Sequence, residues 1–369
     1  MVEWKKLGDI AKCYAGATPS TKNASYWEGG IIPWMSSGEV HQGIVTYTAA
    51  HITQLGYDNS STKMLPKGSV VIALAGQGKT RGSVAITDIE LCTNQSLCGI
   101  VLNKSNIINK YVYYFLGTRY NHLRKISSGE GTRGGLNLKM ISDYEIPIPA
   151  ISEQERIVGI LDTFTSSIDN LKQQIAQRRK QYEYYRDQLL DLEGKEGVEM
   201  KTLGESCLIR TGSKPAEILD KGRYCYINAG TTESGYVNES NCDCDVVTTP
   251  SRGQGGIGFV GYQRNDFWLG PLCYQIRPNK KENFKSKYLF YYLSSHSEEI
   301  LKYKSEGGTP AVNAVDLKKI QIHLPPLQEQ QRIVSILDTF EASIQNLEAQ
   351  LSQREKQYEY YRNKLLTFE

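Results

Sequence analysis

The 369-residue chain contains none of the usual marks of an enzyme centre, a metal site or a membrane protein. No apolar run approaches the roughly 18 residues of a spanning helix, and the opening Met-Val-Glu-Trp-Lys-Lys has no signal-peptide character. A soluble, cytoplasmic protein is expected. The eight cysteines are scattered at positions 13, 92, 98, 207, 225, 242, 244 and 273. Cys242 and Cys244 are the one close pair; with no second pair at zinc spacing, they read as free thiols in a reducing cytosol. The five histidines are equally dispersed, with no His-Glu-x-x-His pattern. No Gly-x-Ser-x-Gly elbow marks a nucleophile, and no Asn-Pro-Pro-Tyr-like stretch marks an amino-methylating centre. A net charge of +3 excludes a histone-like basic protein but leaves room for basic loops.

What is present occurs twice. IleSerGluGlnGluArgIleVal at 151–158 opens a stretch ending TyrGluTyrTyrArgAspGlnLeuLeu at 182–190. LeuGlnGluGlnGlnArgIleVal at 327–334 opens its copy, which ends TyrGluTyrTyrArgAsnLysLeuLeu at 358–366. The copies agree at roughly two-thirds of some forty positions, and a period near 180 residues is too long for a solenoid, whose repeats run about 20–50 residues. The chain is therefore a duplicated domain plus helix.

The spacing identifies each copy as a helix with a heptad seam. Apolar residues fall at Ile157, Leu161, Phe164, Ile168, Leu171, Ile175 and Tyr182, then at Ile333, Leu337, Phe340, Ile344, Leu347, Leu351 and Tyr358. Gly159 is the one Gly or Pro in either seam. Ser152 and Glu155 form a capping-box pattern, and Pro325 and Pro326 stop the strand before the second helix. Each helix should span nearly 60 Å, at about 1.5 Å per residue. One seam cannot remain in water, so the two should pair within the chain, antiparallel, with pseudo two-fold symmetry. Arg178 and Arg354 interrupt the seam at matching places. Either they snorkel or stack on a seam Tyr, or they fix register or meet a partner's carboxylate.

The globular segments share their ends. ValGluTrpLysLysLeuGlyAsp at 2–9 matches ValGluMetLysThrLeuGlyGlu at 198–205, followed by Gly16 and Pro19 against Gly212 and Pro215. TyrValTyrTyrPheLeu at 111–116 and TyrLeuPheTyrTyrLeu at 288–293 each predict a short buried helix. A Gly-rich loop follows at 128–135 and 305–310, then a strand at 146–149 and 322–325. The middles diverge, as two readers of different targets would. The expected fold class is α+β: two similar mixed α/β domains, at 1–150 and 193–326, joined by helices at 151–192 and 327–369 that form an intramolecular antiparallel coiled coil.

ValValIleAlaLeuAlaGlyGlnGlyLysThr at 70–80 imitates a phosphate-binding loop, but Ala73 stands where its first Gly belongs and the sequence after Thr80 reads as turn and strand. The second unit repeats Gly-Gln-Gly at 253–255 without a Lys. Glycines there either satisfy tight turns or allow close backbone approach to a phosphodiester chain. On the second reading Gln77, Lys79, Arg81 and Arg133 are the candidate DNA contacts of the first unit. Arg252 and Gln254 are those of the second, with further charge from Arg264, Lys280 or Lys281. Basic side chains would position each domain on phosphates, and Gln or Arg could read base edges.

GlyAlaThrProSer at 16–20, TyrTrpGluGlyGlyIleIleProTrp at 26–34 and the twice-occurring Pro-x-x-x-Glu-Gln-x-x-Ile-Val resemble the specificity subunit of type I restriction-modification systems. The resemblance covers essentially the whole chain, although the second unit has no evident Tyr-Trp-x-Gly or Ile-Pro-Trp. It implies a non-catalytic subunit whose two target recognition domains read a bipartite, asymmetric site on double-stranded DNA, the helices setting the unread gap. It also implies two modification subunits that use S-adenosylmethionine to methylate adenine N6, and two restriction subunits that use ATP and Mg. No cofactor is then expected in this chain, and no membrane partner. An orphan or regulatory paralogue, or a coiled-coil scaffold for other partners, is the alternative.

Overall fold

The computed structural model describes residues 2–76, 79–127, 135–253, 255–280, 282–305 and 309–368. The chain forms two compact units, Met1–Asn170 with Gln350–Glu369, and Leu171–Ala349. Two long helices, Ile151–Leu190 and Leu327–Leu365, each contribute residues to both units.

In the first unit the main sheet runs in the order Ala11–Ala15, Leu97–Leu102, Val70–Ala73, Val84–Thr87, Ile44–Val45. In the second unit it runs Cys207–Thr211, Cys273–Pro278, Val246–Pro250, Gly261–Gln263. A smaller sheet accompanies each: Ala50–Ile52, Ile32–Met35 and Cys92–Thr93 in one, Tyr236–Val237, Tyr224–Ile227 and Trp268–Leu269 in the other. The middles that diverge in sequence thus share the order of four strands, the first unit adding Ile44–Val45 at its edge, because a strand needs apolar residues of suitable shape rather than particular identities. Val70–Ala73 shows why alternation is weak there. Val70 and Ile72 enter one core, Val71 and Ala73 another, so both faces are covered and the run is wholly apolar.

The helices predicted around 111–116 and 288–293 are Asn109–Thr118 and Ser286–Ser295, with Tyr111, Phe115, Tyr288 and Tyr291 fully buried. Two-stranded antiparallel ribbons join the shared ends, Glu3–Lys6 with Glu145–Ile148 and Glu199–Thr202 with Gln321–Leu324. After Thr80 comes the strand Val84–Thr87, not the helix a phosphate-binding loop would require.

Each globular part is fastened to its helix by the same set of bonds. Gln154, completely buried, accepts from the Ile108 backbone N–H at 2.9 Å and donates to the carbonyls of Asn106 and Pro149 at 3.2 and 2.9 Å. Gln330, equally buried, accepts from Lys285 N–H at 2.9 Å and donates to Asn283 and Pro325 at 3.0 and 2.9 Å. About two turns further along each long helix, the hydroxyls of Tyr114 and Tyr291 donate to Asp162 and Asp338, both at 2.6 Å. Lys110 and Lys287 pair with the same carboxylates. Burial first, and the adjacent carboxylate next, push both phenols well above the usual tyrosine range. The helix starts at Ile151, so Ser152 lies inside the first turn rather than capping it. The Ala150 carbonyl closes that turn, accepting from the N–H groups of Glu153 and Gln154.

Within each unit the two helices run antiparallel. Phe164 meets Tyr358 and Tyr361 at 6.5 and 5.4 Å between ring centres, and Phe340 meets Tyr182 and Tyr185 at 6.4 and 5.4 Å. Each copy's Phe therefore takes the other copy's Tyr pair. Arg354 lies over the Phe164 ring at 5.7 Å and Arg178 over Phe340 at 5.8 Å, so the aromatic platform is Phe rather than the expected Tyr. Ile157, Leu161, Ile333 and Leu337 are completely buried because the globular cores cover them. Ile168 and Ile175 are buried too, whereas Phe164, Leu171, Tyr182, Phe340, Ile344, Leu347, Leu351 and Tyr358 are half-buried.

Replacing Gln154 or Gln330 with Ala leaves three backbone groups without their partner. A loss of at least about 2 kcal/mol is expected in urea unfolding of either variant, since each stranded buried group costs about 1–3 kcal/mol. A loss below about 0.5 kcal/mol would mean water replaces the side chain.

Candidate nucleic-acid interface

Strand register decides which loops share an end of each main sheet. In the first unit Ala15 pairs with Cys98, and Ala73 with Leu97, so the Gly16–Pro19 loop and the loop after Ala73 emerge together. The segment after the Gly-rich loop joins them, with Leu136 N–H donating to the Leu74 carbonyl at 2.8 Å. The second unit repeats this. Thr211 pairs with Tyr274 and Pro250 with Cys273. Gly253 N–H donates to Pro310 at 3.1 Å, and Val312 N–H to Ser251 at 2.9 Å, bracketing a bridge between Arg252 and Ala311. Three loops distant in sequence thus form one edge in each unit.

The Gly16 and Gly212 loops are pressed against the parallel strand beside them. A Cβ at Gly16 would lie 2.2 Å from the Thr93 carbonyl oxygen, and one at Gly212 only 1.8 Å from that of Leu269, so no side chain fits. An indole secures each loop, but from different strands. Trp34 Nε1 donates to the Ala17 carbonyl at 2.9 Å, and Trp268 Nε1 to Ser213 at 2.7 Å. Trp34 stands opposite Cys92 in its parallel pair, whereas Trp268 stands opposite Tyr226. The indole has crossed to the neighbouring strand, which accounts for the missing Ile-Pro-Trp of the second unit.

Of the candidate DNA contacts, Lys79 and Arg252 are exposed at this edge. Arg81 is not a surface charge: it is only 5% exposed, and its carbonyl accepts from Arg124 Nη1 at 3.3 Å. Arg264 and Lys280 are exposed but do not join Arg252. Arg264 follows the strand end where Gln263 pairs with Val246, and Lys280 follows Pro278, paired with Cys207; both ends lie opposite Pro250. Arg264 also faces Glu341 at 3.6 Å. Gln77, Arg133, Gln254 and Lys281 lie outside the described residues. Sequence reading missed Tyr120 and Arg124 beside the first loop and the exposed Lys304 next to Ser305, whose N–H donates to Ala311. Tyr274 lies under this edge, its hydroxyl donating to Val312 at 3.2 Å; burial raises its phenol above the ordinary value, with nearby Arg252 pulling the other way.

Among the described residues no group of three or more His, Cys, Asp and Glu could hold a metal ion, and no helix is long and apolar enough to cross a membrane. All eight cysteines are free, and the buried Cys242 thiol donates to Gln275 at 3.5 Å.

Each unit thus pairs antiparallel helix segments with a three-loop edge that carries an exposed cation, Lys79 in one and Arg252 in the other. The chain belongs to the family described as the type I restriction modification DNA specificity domain, which matches residues 1–178 and 195–355. This is a family of non-catalytic recognition components. The chain is 37% identical over 204 residues to the type I restriction enzyme EcoR124I/EcoR124II specificity subunit of Escherichia coli, covering 53% of this chain and 50% of the relative. It is 31% identical over 231 residues to the type I restriction enzyme MjaIX specificity subunit of Methanocaldococcus jannaschii, covering 57% and 52%. It therefore spans about half the length of each in these matches. In fold it resembles the type I restriction-modification S subunit from M. genitalium, with a TM-score of 0.69, 19% identity, and 100% and 97% of the two chains covered.

Trp34→Phe and Trp268→Phe each remove one indole hydrogen bond and keep most of the apolar ring. Faster amide exchange is expected at the Gly16–Pro19 loop in the first variant and at the Gly212–Pro215 loop in the second, each leaving the other loop protected. Hydrogen exchange resolved by mass spectrometry checks this; equal loosening of both loops, or of neither, contradicts the assignment of one indole to each.

Proposed function

We propose that this chain is the sequence-specific DNA-binding subunit of a type I restriction-modification complex. It reads a bipartite, asymmetric site, each unit taking one half. Two modification subunits methylate adenine N6 at that site with S-adenosylmethionine, and two restriction subunits cleave with ATP and Mg when the site is unmodified. The observation that carries this reading is the pair of loop edges: the same three loops meet in each unit, with Lys79 in one and Arg252 in the other. Similar scaffolds with different furnishing suit two half-sites of different sequence. Phosphate contacts from such cations would set the register of each unit, and the neighbouring loop residues would read base edges. The helices serve as the spacer between the halves and as the docking surface for the modification subunits.

Lys79→Ala and Arg252→Ala are each expected to weaken DNA binding by the assembled methyltransferase and to reduce the slope of log affinity against log salt by about one. Unchanged affinity and slope would remove the residue from the interface. Inserting seven residues in phase into both helices lengthens each by about 10 Å while keeping the seam. The unread gap in the methylated motif should widen and both half-sites stay as they were. New half-site bases at the old gap would contradict the spacer role.

A further inference from the structure

The turn carrying Lys79 is held from outside by three side chains. Tyr120 Oη donates to the Lys79 carbonyl at 2.9 Å, His41 Nε2 lies 3.3 Å from Thr80 Oγ1, and Arg124 Nη1 donates to the Arg81 carbonyl at 3.3 Å. Arg124 also reaches the Tyr120 hydroxyl at 3.3 Å, and its guanidinium lies over the Tyr120 ring at 5.5 Å. Three consecutive residues are thus fixed by groups on the helix Tyr120–Ile126 and on the turn Ser37–Gln42. Such fixing pre-organises the exposed Lys79 before any ligand arrives, which lowers the ordering cost of binding.

Among the described residues the second unit shows no such brace in the corresponding place. Gly82 packs on Arg124, and Gly258, its counterpart, packs on Leu301, whose side chain has no polar atom to offer. The Arg252 turn is held instead by backbone bonds to Pro310, Ala311 and Val312.

We infer that Tyr120 and Arg124 are positioning residues for recognition of one half of the DNA site, acting through the Lys79–Arg81 turn and leaving the other half untouched. This rests on the reading of the chain as the DNA-specificity subunit. The test is base-resolution mapping of methyladenine in a methylation-free host expressing the assembled methyltransferase with the unsubstituted chain, Tyr120→Phe, Arg124→Lys or Arg124→Ala. Tyr120→Phe keeps the ring beneath Arg124 and removes the hydroxyl alone, so folding is preserved. Methylation at sites with one wrong base should rise roughly two- to tenfold, the worth of one hydrogen bond. The rise should be confined to one half of the motif, with the other half and the gap unchanged. Arg124→Lys should fall between wild type and Arg124→Ala. Relaxation of both halves alike, or an unchanged motif in all three variants, overturns the inference. A wild-type map without a bipartite motif would instead remove the recognition reading itself, and the positioning role with it.

Discussion

The buried amide of Gln154, and of Gln330 in its copy, is the interaction on which the rest of the molecule depends. At each joint the chain leaves a strand through proline, enters a helix some forty residues long and passes under a turn that starts another helix. Three backbone groups converge there on a buried amide, and leaving such groups unpaired is costly. A single side chain with one acceptor and two donors satisfies all three. Glu would lack the donors and Met or Leu would lack everything, which is why the Gln recurs in both motifs. The Tyr–Asp–Lys set about two turns away adds a second fastening, so the globular part cannot rotate about its helix without breaking both.

With the joint rigid, the helices can act as a shared frame. Their Phe residues each take the other copy's Tyr pair, and the Arg that interrupts each seam lies on that Phe. The seam is therefore most apolar where globular cores cover it and more aromatic and cationic where it is partly wet. On this frame each unit can vary its loops without disturbing what holds it. The crossing of an indole from Ile32–Met35 to the place equivalent to Cys92–Thr93 is an example: the loop carbonyl stays bonded while the strand sequences differ.

Much of the frame was legible because periodicity survives in a single sequence. The heptad pattern from Ile157 and Ile333 identifies the helices, and duplication suggests that each seam's partner is the other. The joint was not legible. Gln154 reads locally as an exposed polar position of an amphipathic helix, and its partner Ile108 lies 46 residues away. The loop edge was half legible: Gly-Gln-Gly marks both turns, but register places Lys79 and Arg252 there and sends Arg264 and Lys280 to the opposite end of the sheet. Composition cannot distinguish a buried guanidinium from a solvated one, so Arg81 was expected at the surface.

The most direct measurement is a base-resolution map of N6-methyladenine in cells with and without this chain. Loss of one bipartite motif on deletion, with two defined halves around a fixed gap, is the predicted result. A map that does not change, in cells that express the chain and a partner methyltransferase, would contradict the assignment of DNA specificity to it.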